Sequence, residues 1–379
     1  MKITRIDTLH LSPKSWVHQG QIGWTWVRVH TDEGIIGTGE TYPTPATEVA
    51  VVHGPLAAVL LGQNPLEIER LWREMLLKVQ FAGWAGAEMR AISAVDIALW
   101  DILGKVANLP IYQLLGGKVR DRIRTYNTCY DNEYDFNLDA DKLAKSLLKM
   151  GIRAMKIWPF DKVALENQGN FITREQMATS LEPVRKIREA VGDEMDIMME
   201  FHGYWNLPTA VQIAKALEPY NVTWLEEMLP QDNLEAYQVL GARVSQPLNI
   251  SERLFGKWQY AELFKQHAAS YVMLDLAWCG GITESMKIAT MAEAEYLPLA
   301  PHNCGGPIFH AANLHLAANI PNLFILESVR RHYQDEYPKI VDRVIVPGPD
   351  GCLPLPEGPG LGTELLPEFM AQAEMVTSK

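Results

Sequence analysis

MDIMMEFHGYWNLPTAVQIAKALEPYNVTWLEE, residues 195–227, holds two short apolar runs, each with a glutamate at its end, separated by a helix-length segment. Strand, helix, strand is the unit of a parallel sheet. Within a strand, positions i and i+2 point to the same side, so Glu200 and His202 stand together just after Met198 and Met199. The pattern extends in both directions. IRTYNT (123–128), IRAMKIW (152–158), MDIMMEF (195–201), VTWLE (222–226), PLNIS (247–251), YVMLD (271–275), LPLA (297–300) and NLFILE (322–327) are eight candidate strands, most of them separated by stretches such as ITESMKIATMAEAE. Eight such units predict an α/β chain closed into a (β/α)8-type barrel, with a doubly wound sheet as the alternative pattern. The connection 159–176 is longer than a usual strand-to-helix loop and is expected to reach over the site.

Ahead of the barrel, WTWVRVHTDEGIIGTGETY (24–42) reads as a hairpin. Its Gly37 and Gly39 lack the third glycine and following helix of a dinucleotide site. Residues 46–117 are helical in pattern, with Ile92, Val95, Leu99, Ile102 and Leu103 at helical spacing and Gly116 and Gly117 as the stop. The expected organisation is an α+β unit over 1–120, the barrel over 121–345, and a Pro- and Gly-rich segment over 346–379 that ends in a short helix.

A chain of 379 residues with net charge −12 carries no field that would draw in a polyanion, which sets aside nucleic acid and anionic membrane as partners. The N-terminal MKITRIDTLHLSP lacks the apolar run of a signal peptide, and the four cysteines are scattered, so a cytoplasmic location is expected. Cys304 lies two residues after His302, but no second cysteine or histidine pair at ligand spacing supports a zinc site.

The strand ends carry the chemistry. Lys156 closes the second run, and Glu200, Glu226 and Glu252 close the next three at intervals of 26 residues. Asp275, His302 and Glu327 follow at steps of 23, 27 and 25. One strand–helix unit has about that length, so all fall on the C-terminal rim, where barrel enzymes keep their active sites. Three glutamates at one mouth repel one another unless protonated or bridged by a cation. Oxygen-only ligands favour a hard ion, Mg2+ first and Mn2+ next.

MEFHG, WLEE, SERLFG, MLDLAWCGGITE, LAPHN and ILES, together with MKITRID, DEGIIGTGE, AVDIALWDILGK and YQLLGGKVRDRI, resemble the mandelate racemase branch of the enolase superfamily over essentially the whole chain. The resemblance implies a modified TIM barrel, (β/α)7β, under an α+β capping domain completed by the C-terminal tail. It also implies removal of the proton α to a carboxylate, with Mg2+ stabilising the enediolate. It makes Glu200, Glu226 and Glu252 the metal ligands, and Asp275 and His302 a catalytic dyad. Lys156 and Glu327 become contacts of the substrate carboxylate and enediolate oxygens. A small-molecule acid is the implied partner, and a symmetric homo-oligomer the implied assembly.

Three departures from the family pattern refine this reading. Glu200 stands where aspartate is more usual, and WLEEM replaces the more usual EEP. Trp158 replaces the second lysine of a K-x-K motif, which disfavours two-base racemisation. His202, two residues after the first ligand, resembles the D-x-H of the acid-sugar dehydratases of that branch, galactonate dehydratase among them; there the histidine protonates the departing 3-hydroxyl. The expected activity is dehydration of an aldonate or aldarate. A cycloisomerase or one-base epimerase, and a non-catalytic metal-stabilised binding protein, are the alternatives. Trp16, His18, Trp24 and His53, in the stretches SPKSWVHQGQIGW and PTPATEVAVVHG, are candidates for meeting substrate hydroxyls.

Overall fold

The candidate strands form a parallel sheet in the computed structural model, which describes residues 1–11 and 23–379. Strands β4 (Arg122–Thr128), β5 (Ala154–Ile157), β6 (Asp196–Glu200), β7 (Trp224–Glu226), β8 (Leu248–Ile250), β9 (Tyr271–Val272) and β10 (Leu326–Ser328) lie in the order β10-β4-β5-β6-β7-β8-β9. The expected strand at 297–300 is not a regular ladder. Parallel bridges Val272↔Leu299, Asp275↔His302 and Leu299↔Leu323 carry it between β9 and the approach to β10, and the barrel closes through them. Pro298 and Pro301 explain the broken ladder, because neither has an N–H to donate.

Strand periodicity sorts the side chains into layers. Ile197 and Met199 of β6 pack outward in the main core, whereas Met198 points inward and packs with Tyr126, Ala154, Trp224, Ala300 and Ile325. Each of these six interior residues precedes a rim residue by two positions: Thr128, Lys156, Glu200, Glu226, His302 and Glu327. The packed interior layer therefore sets the height and direction of the polar layer above it. Helices alternate with the strands as the pattern requires. Leu207–Leu217, for example, starts at Asn206, whose side chain accepts from Thr209 N at 3.0 Å.

The cap is an antiparallel sheet made of β1 (Ile3–His10), β2 (Thr25–Thr31) and β3 (Ile36–Thr41), with the helix Ala87–Ala107 against it. Gly37 and Gly39 serve that packing: a Cβ on Gly39 would stand 1.8 Å from the Ala94 carbonyl oxygen. The tail completes the cap as the resemblance implies, but it is more ordered than the expected linker and does not end in a helix. Its β11 (Cys352–Pro354) pairs antiparallel with β4, the helix Pro367–Met370 is a single turn, and β12 (Glu374–Ser378) covers the open edge of β1.

Buried polar bonds join cap to barrel. Glu40 accepts from the backbone N–H groups of Gly306, Ile308 (3.0 Å) and Phe309 (3.3 Å) at the start of the helix Pro307–Asn319. Thr41 donates to Ala277 O, and Trp278 Nε1 donates to Tyr42 O. Along the same barrel helix, His310 and His315 are buried, and each uses one ring nitrogen as acceptor and the other as donor to a carbonyl. Burial pushes both down to about 4, so the folded protein holds them neutral.

The unfolded chain takes up these protons near pH 6.5, whereas the folded chain does so only near pH 4. Their stabilisation is complete above pH 6.5 and is lost as pH falls from there to about 4. Between pH 7.5 and 5.5 each histidine is expected to lower the unfolding free energy by about 1.4 kcal/mol. Urea melts of the wild type and His315→Gln at both pH values check this, the variant showing the smaller pH difference.

Candidate active site

Glu200 ends β6, Glu226 ends β7, and Glu252 lies two residues beyond β8. One carboxylate oxygen of each lies within 4.8 Å of the others, and all three side chains are buried. Glu200 Oε1 accepts from the backbone N–H groups of Phe201 (3.0 Å) and His202 (2.7 Å). Glu226 accepts from Trp224 Nε1 at 2.8 Å, from Asn249 Nδ2 at 3.3 Å, and from Lys156. Lys156 is 3% exposed and also pairs with Glu327 at 2.9 Å and Glu200 at 3.4 Å.

Two of these carboxylates are driven apart in acidity. Burial pushes Glu226 well above the usual carboxylate range, and the charge of Glu200 adds to the effect. Glu200 is held well below that range, its burial outweighed by the charge of His202, the bond with Glu226 and Lys156. Lys156 stands between Glu200 and Glu226, and Arg253 (3.8 Å) and His302 (3.2 Å) stand beside Glu252, so the repulsion among the three carboxylates is offset only in part by these groups. Three buried carboxylates with converging oxygens fit a hard divalent cation.

An imidazole is tied to each end of the trio. His302 Nδ1–H donates to Asp275 Oδ2 at 2.7 Å, and its Nε2 lies 3.2 Å from Glu252 and 3.7 Å from Glu327. Burial opposes the His302 charge, but Glu252 and Glu327 outweigh it and raise the imidazole well above its ordinary value. Burial also raises Asp275, against the bonds from His302 and Tyr42. Glu327 accepts from Thr128 and from Asn303 N (2.8 Å); burial would raise it, but Lys156 and His302 hold it at about 2.

At the other end, His202 sits at φ 51°, in the left-handed region, so the chain turns sharply after β6. Its Nδ1 is 2.6 Å from Asp161 Oδ2. Burial would lower its pKa, but Glu200 and Asp161 raise it to about 9. Trp158, in place of a second lysine, meets the His202 ring edge-on at a centroid distance of 6.1 Å. A cavity of about 310 Å³ is bordered by Lys156, Trp158, Glu200, His202, Glu252 and His302 together.

All eight residues singled out from the sequence thus gather at one mouth. Three of their partners were not read from the sequence. Thr128 ends β4 in phase with the rim. Asp161 lies in the long 159–176 connection, the one available signal for it. Tyr42 follows β3 of the cap, and its hydroxyl donates to Asp275 Oδ2 and lies 3.2 Å from His302 Nδ1. The expected hydroxyl contacts fare differently. Trp16 and His18 lie outside the described residues. Trp24 is buried against Trp26, and His53 bonds Thr8 and Ser378 within the cap, so neither borders the cavity. Cys304 does border it and forms a second cluster with His302 and Glu327, a placement the sequence spacing did not reveal. Burial pushes its thiol up to about 12, so it stands there protonated.

A capped parallel barrel with an acidic cluster and two carboxylate-paired histidines on its C-terminal rim has the architecture of a barrel enzyme. Residues 139–369 match the family described as "Enolase C-terminal domain-like", and residues 9–116 match "Mandelate racemase / muconate lactonizing enzyme, N-terminal domain". The chain belongs to this mandelate racemase / muconate lactonizing enzyme family of the enolase superfamily. It is 34% identical to the D-galactonate dehydratase of Ralstonia nicotianae, covering 96% of this chain and 92% of that one. It is 30% identical to the D-xylonate dehydratase of Haloferax volcanii, covering 91% and 84%. A crystal structure of an enolase of the mandelate racemase subgroup from Agrobacterium tumefaciens superposes with a TM-score of 0.92 at 43% identity, covering 100% and 99%.

Removing the Tyr42 hydroxyl deprives Asp275 of one of the two donors to the oxygen that holds His302. Tyr42→Phe is expected to lower kcat about tenfold, about 1.4 kcal/mol, with the thermal midpoint nearly unchanged. Steady-state kinetics alongside thermal melts check it.

Proposed function

We propose that the chain is an acid-sugar dehydratase that acts on an aldonate or aldarate of the galactonate kind and yields a 2-keto-3-deoxy acid. The observation that carries the reading is the pair of imidazoles on one cavity. Each has its Nδ1 committed to a carboxylate, so its Nε2 is the nitrogen left for chemistry. Trp158 at the second-lysine position supports a single base on the α-carbon. The similarity to galactonate and xylonate dehydratases supports the substrate class.

Glu200, Glu226 and Glu252 would hold the cation, Mg2+ first and Mn2+ next. When bound, it supplies positive charge that stabilises the developing enediolate. Glu252, once committed to a cation, would no longer hold a proton on His302 Nε2, which then takes the proton from C2; Asp275 stabilises the resulting imidazolium. Lys156, held in place by Glu327, adds fixed positive charge at the carboxylate end of the substrate. His202 gives its proton to the 3-hydroxyl as the C3–O bond breaks and water leaves; the enol product then tautomerises to the keto acid. The cavity of about 310 Å³ suits a molecule of sugar-acid size.

A library of acid sugars incubated with Mg2+ and assayed for 2-keto-3-deoxy acids tests the reading. At least one member is expected to turn over, and His202→Asn to lower that rate by about 100-fold or more. Mg2+ is expected to raise the thermal midpoint of the wild type, and the shift to shrink in Glu252→Gln. The proposal fails if no member turns over and EDTA leaves the melting curve unchanged.

A further inference from the structure

Asp161 is the first residue of the short helix Asp161–Glu166, a place where aspartate commonly serves the helix itself. Here it does not. No side chain caps this helix, and Asp161 Oδ1 is buried with no hydrogen-bond partner among the described residues. The bond that the carboxylate does make runs from Oδ2 to His202 Nδ1, at 2.6 Å. Placing a carboxylate in a largely buried position for a single partner is costly to the fold. The return for that cost lies in what the bond does to the histidine.

His202 is presented from a sharp turn, and Trp158 and Tyr204 lie against its ring at centroid distances of 6.1 and 5.9 Å. These contacts limit where the ring can be, but an aromatic contact does not tell one ring nitrogen from the other. Asp161 does, because a carboxylate only accepts. The proton on Nδ1 is committed to Asp161, and Nε2 is the nitrogen presented to the cavity that His202 borders. The same relation holds between Asp275 and His302 at 2.7 Å, so the mouth contains two separate carboxylate–imidazole pairs.

We propose that Asp161 is the positioning residue of His202, holding the Nδ1–H side of the ring so that the Nε2–H faces the departing hydroxyl. This rests on the reading of His202 as the group that protonates that hydroxyl. Asp161→Asn keeps the size of the side chain but offers an amide that can turn its N–H toward Nδ1, which leaves a neutral ring whose Nε2–H is a far weaker acid than that of an imidazolium.

The test compares wild type, Asp161→Asn, Asp161→Glu and His202→Asn on a turned-over acid sugar with Mg2+. It measures dehydration, exchange of the α-proton in D2O, thermal midpoint, and loss of fluoride from the 3-deoxy-3-fluoro analogue, whose leaving group needs little protonation. In Asp161→Asn, kcat for dehydration is expected to fall about 10- to 100-fold with KM within about twofold. Exchange at the α-carbon and loss of fluoride are expected to stay near the wild-type rate. Asp161→Glu should recover part of the dehydration rate.

The proposal is overturned if Asp161→Asn dehydrates like the wild type while His202→Asn does not. It is also overturned if exchange and fluoride loss fall in step with dehydration, as damage to the whole site would produce. Full dehydration by His202→Asn would instead remove the reading of His202 on which the proposal depends.

Discussion

Negative charge in a dry place is the condition around which this mouth is organised. Glu200, Glu226, Glu252 and Glu327 are all buried at the rim, with Lys156 among them and His302 and His202 at the sides. Burying several carboxylates together is tolerable only when protons, cations or hydrogen bonds neutralise them. Each available device is in use: backbone N–H groups on Glu200, Trp224 and Asn249 on Glu226, Thr128 and Asn303 on Glu327. The arrangement leaves a demand for positive charge at the converging oxygens, of the kind a divalent cation meets.

The barrel meets that demand without exposing its core. Because strand side chains alternate, the apolar layer of Tyr126, Ala154, Met198, Trp224, Ala300 and Ile325 lies directly beneath the polar one. Trp224 belongs to both, packing with its rings and donating its indole N–H to Glu226. Each polar side chain of that layer is carried by the strand whose core residue packs two positions before it.

Much of this was legible in the sequence because it depends on local periodicity. The strand ends recur at one repeat length, so Lys156, Glu200, Glu226, Glu252, Asp275, His302 and Glu327 are visible as a phased set before any coordinates. Thr128 shares that phase but was not read; the rest of what escaped reading has no such phase. Tyr42 comes from the cap, more than 200 residues from the dyad it contacts, and only the docking of cap on barrel brings it there. Asp161 opens a short helix inside a long connection, outside the repeat that phases the strand ends. The run at 297–300 reads as a strand by its apolar residues, yet Pro298 and Pro301 reduce it to bridges. The tail's composition reads as a linker because turn residues dominate it; its return to the cap was expected from the family resemblance alone, and the β1 edge that recruits β12 is a tertiary feature.

That last pairing has a consequence for how the molecule is made. β1 precedes every barrel strand in the chain and β12 follows them all, yet the two are neighbours in one sheet. During synthesis the cap sheet therefore lacks its edge strand until the whole barrel has been translated. Tyr42, which reaches Asp275 from this cap, is thus carried on a sheet that completes itself last. The unit that brings Tyr42 to the Asp275–His302 pair is completed only after the barrel strands have emerged, and a nascent barrel remains without its finished roof.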